Sequence, residues 1–287
     1  MITRRLIALG AGALLALTAC SDPNAADDSE NTASTEGASS TLSVGSANFP
    51  ESEIIAEVYA QASETEGFDV ERNFQIGARE VYLPAMENGE IDLMPDYTGN
   101  LLSYLDPETT ATSAEDIETE LQQALPDELE ALGPAPAENK DSLNMTSEFA
   151  TAHGLESIGD LAELEQVRLA ANPEFAERSY GVPGREEIYG ITDVDFTAIG
   201  DGGGPATVQA LRDGTVDVAD IYTTTPAIAE HDLVTLEDPE EMIAAQYVVP
   251  IIGTDTVNDQ AMQILNEVSA ALTTESLMQM NALNSGD

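Results

Sequence analysis

The sequence predicts an α/β fold of two lobes, and three observations carry that prediction. The chain has 287 residues, 42% of them apolar, enough for two modest cores. One short unit occurs twice, as Ala85–Thr98 and Ala210–Thr223. Each copy reads as the last turn of a helix, a glycine suited to a left-handed cap (Gly89, Gly214), a strand, and a release into Tyr-Thr. Strand and helix patterns alternate around both copies, as in parallel sheet. In open α/β sheets ligands sit beyond the carboxyl ends of strands. Two such ends, Tyr97-Thr98 and Tyr222-Thr223, point to two lobes closing on one small molecule. Only Ala, Gly, Asp, Tyr and Thr are identical between the copies, and helix–glycine–strand units recur in many α/β proteins, so chance recurrence stays open on the repeat alone.

The elements follow in order. Leu42–Ser46 reads as a strand, and Pro50 suits the first turn of a helix whose Ile54, Ile55, Val58, Tyr59 and Ala62 share a face, ending at Gly67. Val70–Ile76 alternates as a strand, Arg79–Asn88 is helical, and Ile91–Met94 is a strand. Leu101–Leu105 and Glu115–Leu132 read as helices, and Gly133-Pro134-Ala135-Pro136 breaks the pattern before an extended Ser142–Thr146. The second lobe restarts with a helix over Ser147–His153 capped by Gly154, a short helix at Ile158–Leu161 and a strand at Val167–Ala171. Helical pieces at Pro173–Arg178 and Arg185–Tyr189 precede a strand at Val194–Ile199. After the second copy come a helix to about Glu230 and a strand at Leu233–Leu236. The apolar Gln246–Ile252 returns to the first lobe, and helices over Thr256–Leu272 and Ser276–Leu283 close the chain. The lobes are expected at 41–140 plus 246–287 and at 141–245, joined by a two-segment hinge with its first crossing near Lys140.

Ahead of the lobes, Arg4-Arg5 and the apolar Leu6–Leu17 form a leader too short to span a bilayer. Residues 1–19 read as a signal peptide. Leu17-Thr18-Ala19-Cys20 resembles a bacterial lipobox, with Cys20, the only cysteine, as the lipid attachment site. Thr3-Arg4-Arg5 also fits a twin-arginine signal, so the export route stays open. Ser21–Ser40 is small and polar, a flexible tether reaching on the order of 25 Å. The expected location is the extracytoplasmic face of a cell membrane, held by lipid alone.

Nine basic residues stand against 54 acidic ones, a net charge of −45. Such a surface repels phosphates and anionic headgroups, which excludes nucleic acid and direct membrane binding. Adaptation to high salt and inherited genome composition are alternative explanations, and the choice stays open. His153 and His231 have no nucleophile near them in sequence, and no serine elbow, zinc, Cys-x-x-Cys or calcium-loop spacing occurs. No catalytic residues, cofactor or metal are expected. Gly200–Gly204 fails the phosphate-loop pattern and reads as a permissive turn, an anion cradle being the alternative. Acid pairs such as Asp217/Asp220 read as solvated residues of loops or strand ends.

Val44-Gly45-Ser46-Ala47-Asn48-Phe49, Gly89-Glu90-Ile91-Asp92, Pro95-Asp96-Tyr97-Thr98-Gly99 and Tyr180-Gly181-Val182-Pro183-Gly184 appear in that order. Asp217-Val218 with Tyr222-Thr223, then Asp232–Asp238, complete the series. From Leu42 onward the chain resembles the substrate-binding lipoproteins of osmoprotectant ABC importers, the glycine betaine/choline/carnitine group. The resemblance implies a two-lobed type II periplasmic binding protein, acting as a monomer, that passes a quaternary amine to ABC permease subunits. It also implies a tyrosine cage. A trimethylammonium group donates no hydrogen bonds, so aromatic faces must supply the attraction, roughly 0.5–2 kcal/mol each. Tyr97, Tyr222 and Tyr247 match cage positions, and Arg178 matches a clamp for a ligand carboxylate. Asn48, Thr98, Asn100 and Thr223 complete the expected ligand-binding set.

Two positions depart from the family pattern. Asp141 stands where a tyrosine is frequent, and Ala47 where a lysine is. Both changes favour ligands of greater net positive charge, such as choline; Arg178 argues the other way, and Arg79-Glu80 near the cleft can reshape it further. The alternatives are the same fold binding another small ligand, such as an amino acid derivative, or a secreted enzyme.

Overall fold

The computed structural model describes residues 41–284. The expected signal peptide, Cys20 and the tether lie outside the described residues. The first lobe builds β1 (Thr41–Gly45), α1 (Pro50–Thr65), β2 (Asp69–Asn73), α2 (Arg79–Glu87) and β3 (Leu93–Tyr97), then α3 (Thr98–Leu105), α4 (Ala114–Ala124) and β4 (Leu129–Ala131). The second builds β5 (Leu143–Thr146), α5 (Ser147–His153), a 3-10 turn at Ile158–Glu163, β6 (Val167–Ala171) and a second 3-10 turn at Pro173–Ala176. It continues through α6 (Val182–Tyr189), β7 (Val194–Ala198), α7 (Pro205–Arg212), β8 (Val218–Asp220), α8 (Ala227–Glu230) and β9 (Leu233–Thr235). The chain then returns as β10 (Val248–Gly253), α9 (Asp259–Ala271) and α10 (Thr274–Asn284).

The strands form two five-stranded sheets, ordered β2-β1-β3-β10-β4 and β7-β6-β8-β5-β9. The two share one plan. In each, the first three strands are parallel, as the β-α-β patterning predicts. The fourth, β10 or β5, follows a crossing from the other lobe and runs antiparallel to both its neighbours. Helices cover both faces, so β3 and β10 are buried along their whole length. Pro95 of β3 faces Pro250 of β10, so at that register neither strand looks to the other for an N–H it lacks.

The glycines of the repeated unit adopt the left-handed conformation expected, with φ of 70° at Gly89 and 76° at Gly214. Two readings need correction. The helix expected over Glu115–Leu132 stops at Ala124, because Leu125 precedes Pro126 and is forced into extended backbone (ψ 143°), and the remainder pairs as β4. In α1 the buried face is Ser52, Ile55, Ala56, Tyr59, Ala60 and Ser63, with Ile54 and Val58 only half-buried. Small residues let α1 lie close against α9, where the Tyr59 hydroxyl meets Ser269 Oγ at 2.8 Å.

Candidate functional site

A small cavity of about 70 Å³ opens between the two sheets, at the carboxyl ends of β1, β3, β6 and β8. The first lobe contributes Asn48 and Phe49 after β1, Arg79 and Tyr82 of α2, and Asp96 and Tyr97 at the end of β3. From the second come Asn172 after β6, Arg178 and Tyr180 before α6, and Asp220 and Tyr222 at the end of β8. Asp141 enters from the first crossing.

The strand-end tyrosines of the repeated unit both reach this cavity, and a phenylalanine sits between them. The Phe49 ring lies 6.2 Å from Tyr97 and 5.4 Å from Tyr222, the latter edge-to-face. Each phenol is positioned by its own lobe. Tyr97 donates to Glu51 Oε1 at 2.5 Å, and Tyr222 accepts from Asn172 Nδ2 at 3.0 Å. Burial raises both phenols well above their ordinary pKa, with Glu51 adding to the effect at Tyr97 and Asp141 at Tyr222. Both therefore stay neutral.

Glu51 itself is buried and accepts from four neutral donors. These are Tyr97 of β3, Asn139 Nδ2 of the first crossing (2.7 Å), Thr224 Oγ1 beyond β8, and Asn281 Nδ2 of α10 (2.6 Å). It ties both lobes, a crossing and the closing helix at one point.

Charges around the cavity pair unequally. Asp96 is clamped by Arg79 (2.5 and 3.3 Å), by the Tyr82 hydroxyl at 2.5 Å and by the Tyr97 N–H at 2.7 Å. Burial disfavours the Arg79 charge, but Asp96 outweighs it and holds the guanidinium well above its usual range. Arg178 reaches across the cleft mouth to Glu80 Oε1 of α2 at 2.7 Å and stacks over the Tyr104 ring of α3 at 5.1 Å. Asp220 was expected to be solvated and is not: it is 2% exposed, because β8 is an inner strand. Burial first, then Asp141, raises its pKa well above the carboxylate range. Asp217, the residue before that strand, instead pairs with Arg168 of β6.

Asn48, Tyr97, Asn100, Asp141, Arg178 and Tyr222 line the cavity; Thr98, Thr223 and Tyr247 do not. The threonines do other work. Thr98 Oγ1 accepts from Tyr247 N (3.1 Å) and its N–H donates to Tyr247 O (3.0 Å), lacing the second crossing. Thr223 Oγ1 accepts from Lys140 N (3.0 Å) and its N–H donates to Lys140 O (3.0 Å), lacing the first. Tyr247 is engaged through its backbone in the second crossing. Phe49, Tyr82, Asp96, Asn172, Tyr180 and Asp220 line the cavity without having been predicted. Phe49 and Tyr180 lay inside the motifs quoted above, and their place beside those motifs was the available signal.

The Gly200–Gly204 turn is not an open anion cradle. The chain's own Asp201 fills the N-terminus of α7, accepting from Gly204 N, Ala206 N and the Thr207 N–H and hydroxyl. Among the described residues no cluster of His, Cys, Asp or Glu is arranged to hold a metal ion, and no helix is long and apolar enough to cross a membrane.

Two mixed sheets exchanging one strand each, with a charged aromatic cavity between their carboxyl edges, define a two-lobed periplasmic-type solute-binding protein. Residues 40–287 match the model of the substrate binding domain of the ABC-type glycine betaine transport system, and the chain belongs to that family. It is a substrate-binding protein of an osmoprotectant ABC importer. The glycine betaine-binding protein YehZ of Escherichia coli strain K12 is 28% identical over 296 residues, covering 96% of this chain and 92% of that protein. The apo structure of YehZ from Escherichia coli superposes with a TM-score of 0.57 at 27% identity, over 85% of this chain and 92% of that one. A crystal structure of a glycine betaine/carnitine/choline ABC transporter shares the fold, with a TM-score of 0.65 at 20% identity, covering 84% and 90%.

Proposed function

We propose that this protein captures a quaternary-amine osmoprotectant, of the glycine betaine, choline or carnitine kind, in an aromatic cage between its lobes. The observation that carries the reading is the convergence of Tyr97 and Tyr222, one from each lobe, around Phe49 on a single cavity. Both phenols are neutral and held by partners inside the chain, so they offer ring faces to a cation that cannot donate hydrogen bonds. Phe49, between the two phenols, adds a third ring to the cage. Hinge closure would dry the cation between the rings, and Arg178 would clasp Glu80 over it. The closed form then docks on the ABC permease. Cys20 anchors the domain by lipid to the outer face of the membrane, and it acts as a monomer. Its relatives' names support the ligand class, since YehZ is a glycine betaine-binding protein.

Thermal melting of the purified protein with choline, glycine betaine, carnitine, proline betaine and ordinary amino acids tests this. A ligand at 100 times its Kd adds about 2.7 kcal/mol, a shift readily seen. Stabilisation by a quaternary amine that is lost in Tyr97→Ala and Tyr222→Ala supports the cage. Stabilisation by an amino acid alone, surviving both substitutions, overturns it.

A further inference from the structure

Three acids of the cavity lining, Asp141, Glu174 and Asp220, form no ion pair with an arginine among the described residues, and two of them adjoin each other. Arg79 and Asp96 neutralise each other inside the first lobe, and Arg178 and Glu80 do so across the mouth. Asp141 and Asp220 remain as the adjoining pair, with the half-buried Glu174 near Tyr222. The two aspartates are 8% and 2% exposed, both line the cavity, and their carboxyls lie within hydrogen-bond reach of each other. Asn100 Nδ2 donates to Asp141 Oδ2 at 2.7 Å. Asp220 Oδ1 is buried and has no hydrogen-bond partner among the described residues.

Behind the pair lies Arg185 of α6, 1% exposed. Its Nη1 donates to Tyr180 O (3.1 Å), and it stacks on Phe175 at 4.5 Å. Its Nε and Nη2 are also without partners, so it faces the acids without closing an ion pair on them. Burial lowers its pKa to about 10, which leaves it cationic at neutral pH. The other titratable groups facing the pair are Tyr180, Tyr222 and, near Tyr222, Glu174. Arg79 and Arg178 also face Tyr180 and are already paired, with Asp96 and Glu80.

We propose that Asp141 and Asp220 make this site selective for ligands of net positive charge, and that such a ligand enters in exchange for a proton held between the two carboxyls. This rests on the quaternary-amine reading of the cavity and narrows it to the cationic members, alcohols of the choline kind, over zwitterions carrying a carboxylate. Charge balance drives the exchange. Two like charges in contact inside a dry site cannot both ionise without a compensating cation. In the empty site, Arg185 balances a pair that carries one proton and one negative charge. When an ammonium ion enters, the carboxyl O–H bond breaks, the proton passes to water, and two carboxylates balance two cations. No bond forms to the ligand. A zwitterion brings no net charge, so it displaces no proton and sets its own carboxylate against Asp141. The orphaned Asp220 Oδ1 is free to accept a ligand hydroxyl.

The test is calorimetric titration of the protein with choline chloride and with glycine betaine, in two buffers of different ionisation enthalpy. Choline binding is expected to release about one proton and glycine betaine none. Choline affinity should also rise with pH above the ordinary carboxylate range, while betaine affinity stays flat. Asp220→Asn should abolish the proton release and shift the choline-to-betaine affinity ratio at least about tenfold toward betaine. The wild-type measurement needs no variant to fold. Choline binding without proton release, or an unchanged ratio in a folded Asp220→Asn protein, overturns the exchange while leaving the aromatic site standing. Failure of both probes to bind folded wild-type protein overturns the quaternary-amine reading, and this proposal with it.

Discussion

The two copies of the repeated unit end alike and are electrostatically opposite. Tyr97 and Tyr222 both turn into the cavity, while Thr98 and Thr223 both lace a crossing strand. Beside Tyr97, however, the buried acid Asp96 is saturated by a guanidinium, a phenol and a backbone N–H. Beside Tyr222, the buried acid Asp220 has a second acid for a neighbour and an arginine that stops short of it. A duplicated backbone plan thus carries one closed charge pair and one open one. The first is a structural fixture; the second is the pair on which the proposed exchange would act.

The largest effect should come from breaking the closed pair. Arg79→Ala strands the Asp96 carboxylate in a dry site and is expected to cost about 3–5 kcal/mol in urea denaturation. Arg185→Met should cost less, because the acids it faces can hold their proton instead. The phenols should separate next. Tyr97→Phe leaves Glu51 short of a donor in a buried network, a loss of about 1–3 kcal/mol in the same assay. Tyr222→Phe removes only an acceptor for Asn172 and should cost less.

The pH dependence has a defined sign. The folded pKa of Asp220 is raised above its unfolded value, so the stability it contributes is fully present below the unfolded pKa. That contribution is lost as pH rises through the folded value. Melting temperatures of ligand-free protein should therefore carry a downward slope above the ordinary carboxylate range that Asp220→Asn removes. The smallest effect tests the symmetry itself. Gly89→Ala and Gly214→Ala both place a Cβ in open space at left-handed φ, and each should cost about 1 kcal/mol, equally in the two lobes.

What the sequence made legible was local. Gly89, Gly154 and Gly214 marked chain turns correctly because a left-handed residue is a local requirement. Residues 167–171 and 147–153 were read to the residue because apolar runs and caps define their ends. Leu125-Pro126 carried an equally local signal that α4 had to stop, but the amphipathic pattern beyond it masked the break. The site was legible only in part. Tyr97 and Tyr222 could be found because strand ends in an α/β sheet face the cleft. The burial of Asp220 could not be found that way, since it depends on β8 lying between β6 and β5, a matter of strand order. The engagement of Arg178 by Glu80 is likewise a contact across the cleft between distant parts of the chain.

The lacing of Thr98 and Thr223 to the crossings has a mechanical consequence. Each cavity tyrosine stands one residue, about 3.8 Å along the backbone, from a threonine bonded to a crossing strand. The fulcrum of any lobe rotation is therefore almost level with the rings. In the proposed closure, a swing about it would move Tyr97 and Tyr222 along a short arc and the rim residues Arg178 and Glu80 along a longer one. On the proposed reading the aromatic floor would keep its shape while the rim travels, so a quaternary amine resting on the rings would meet the same surface before and after closure.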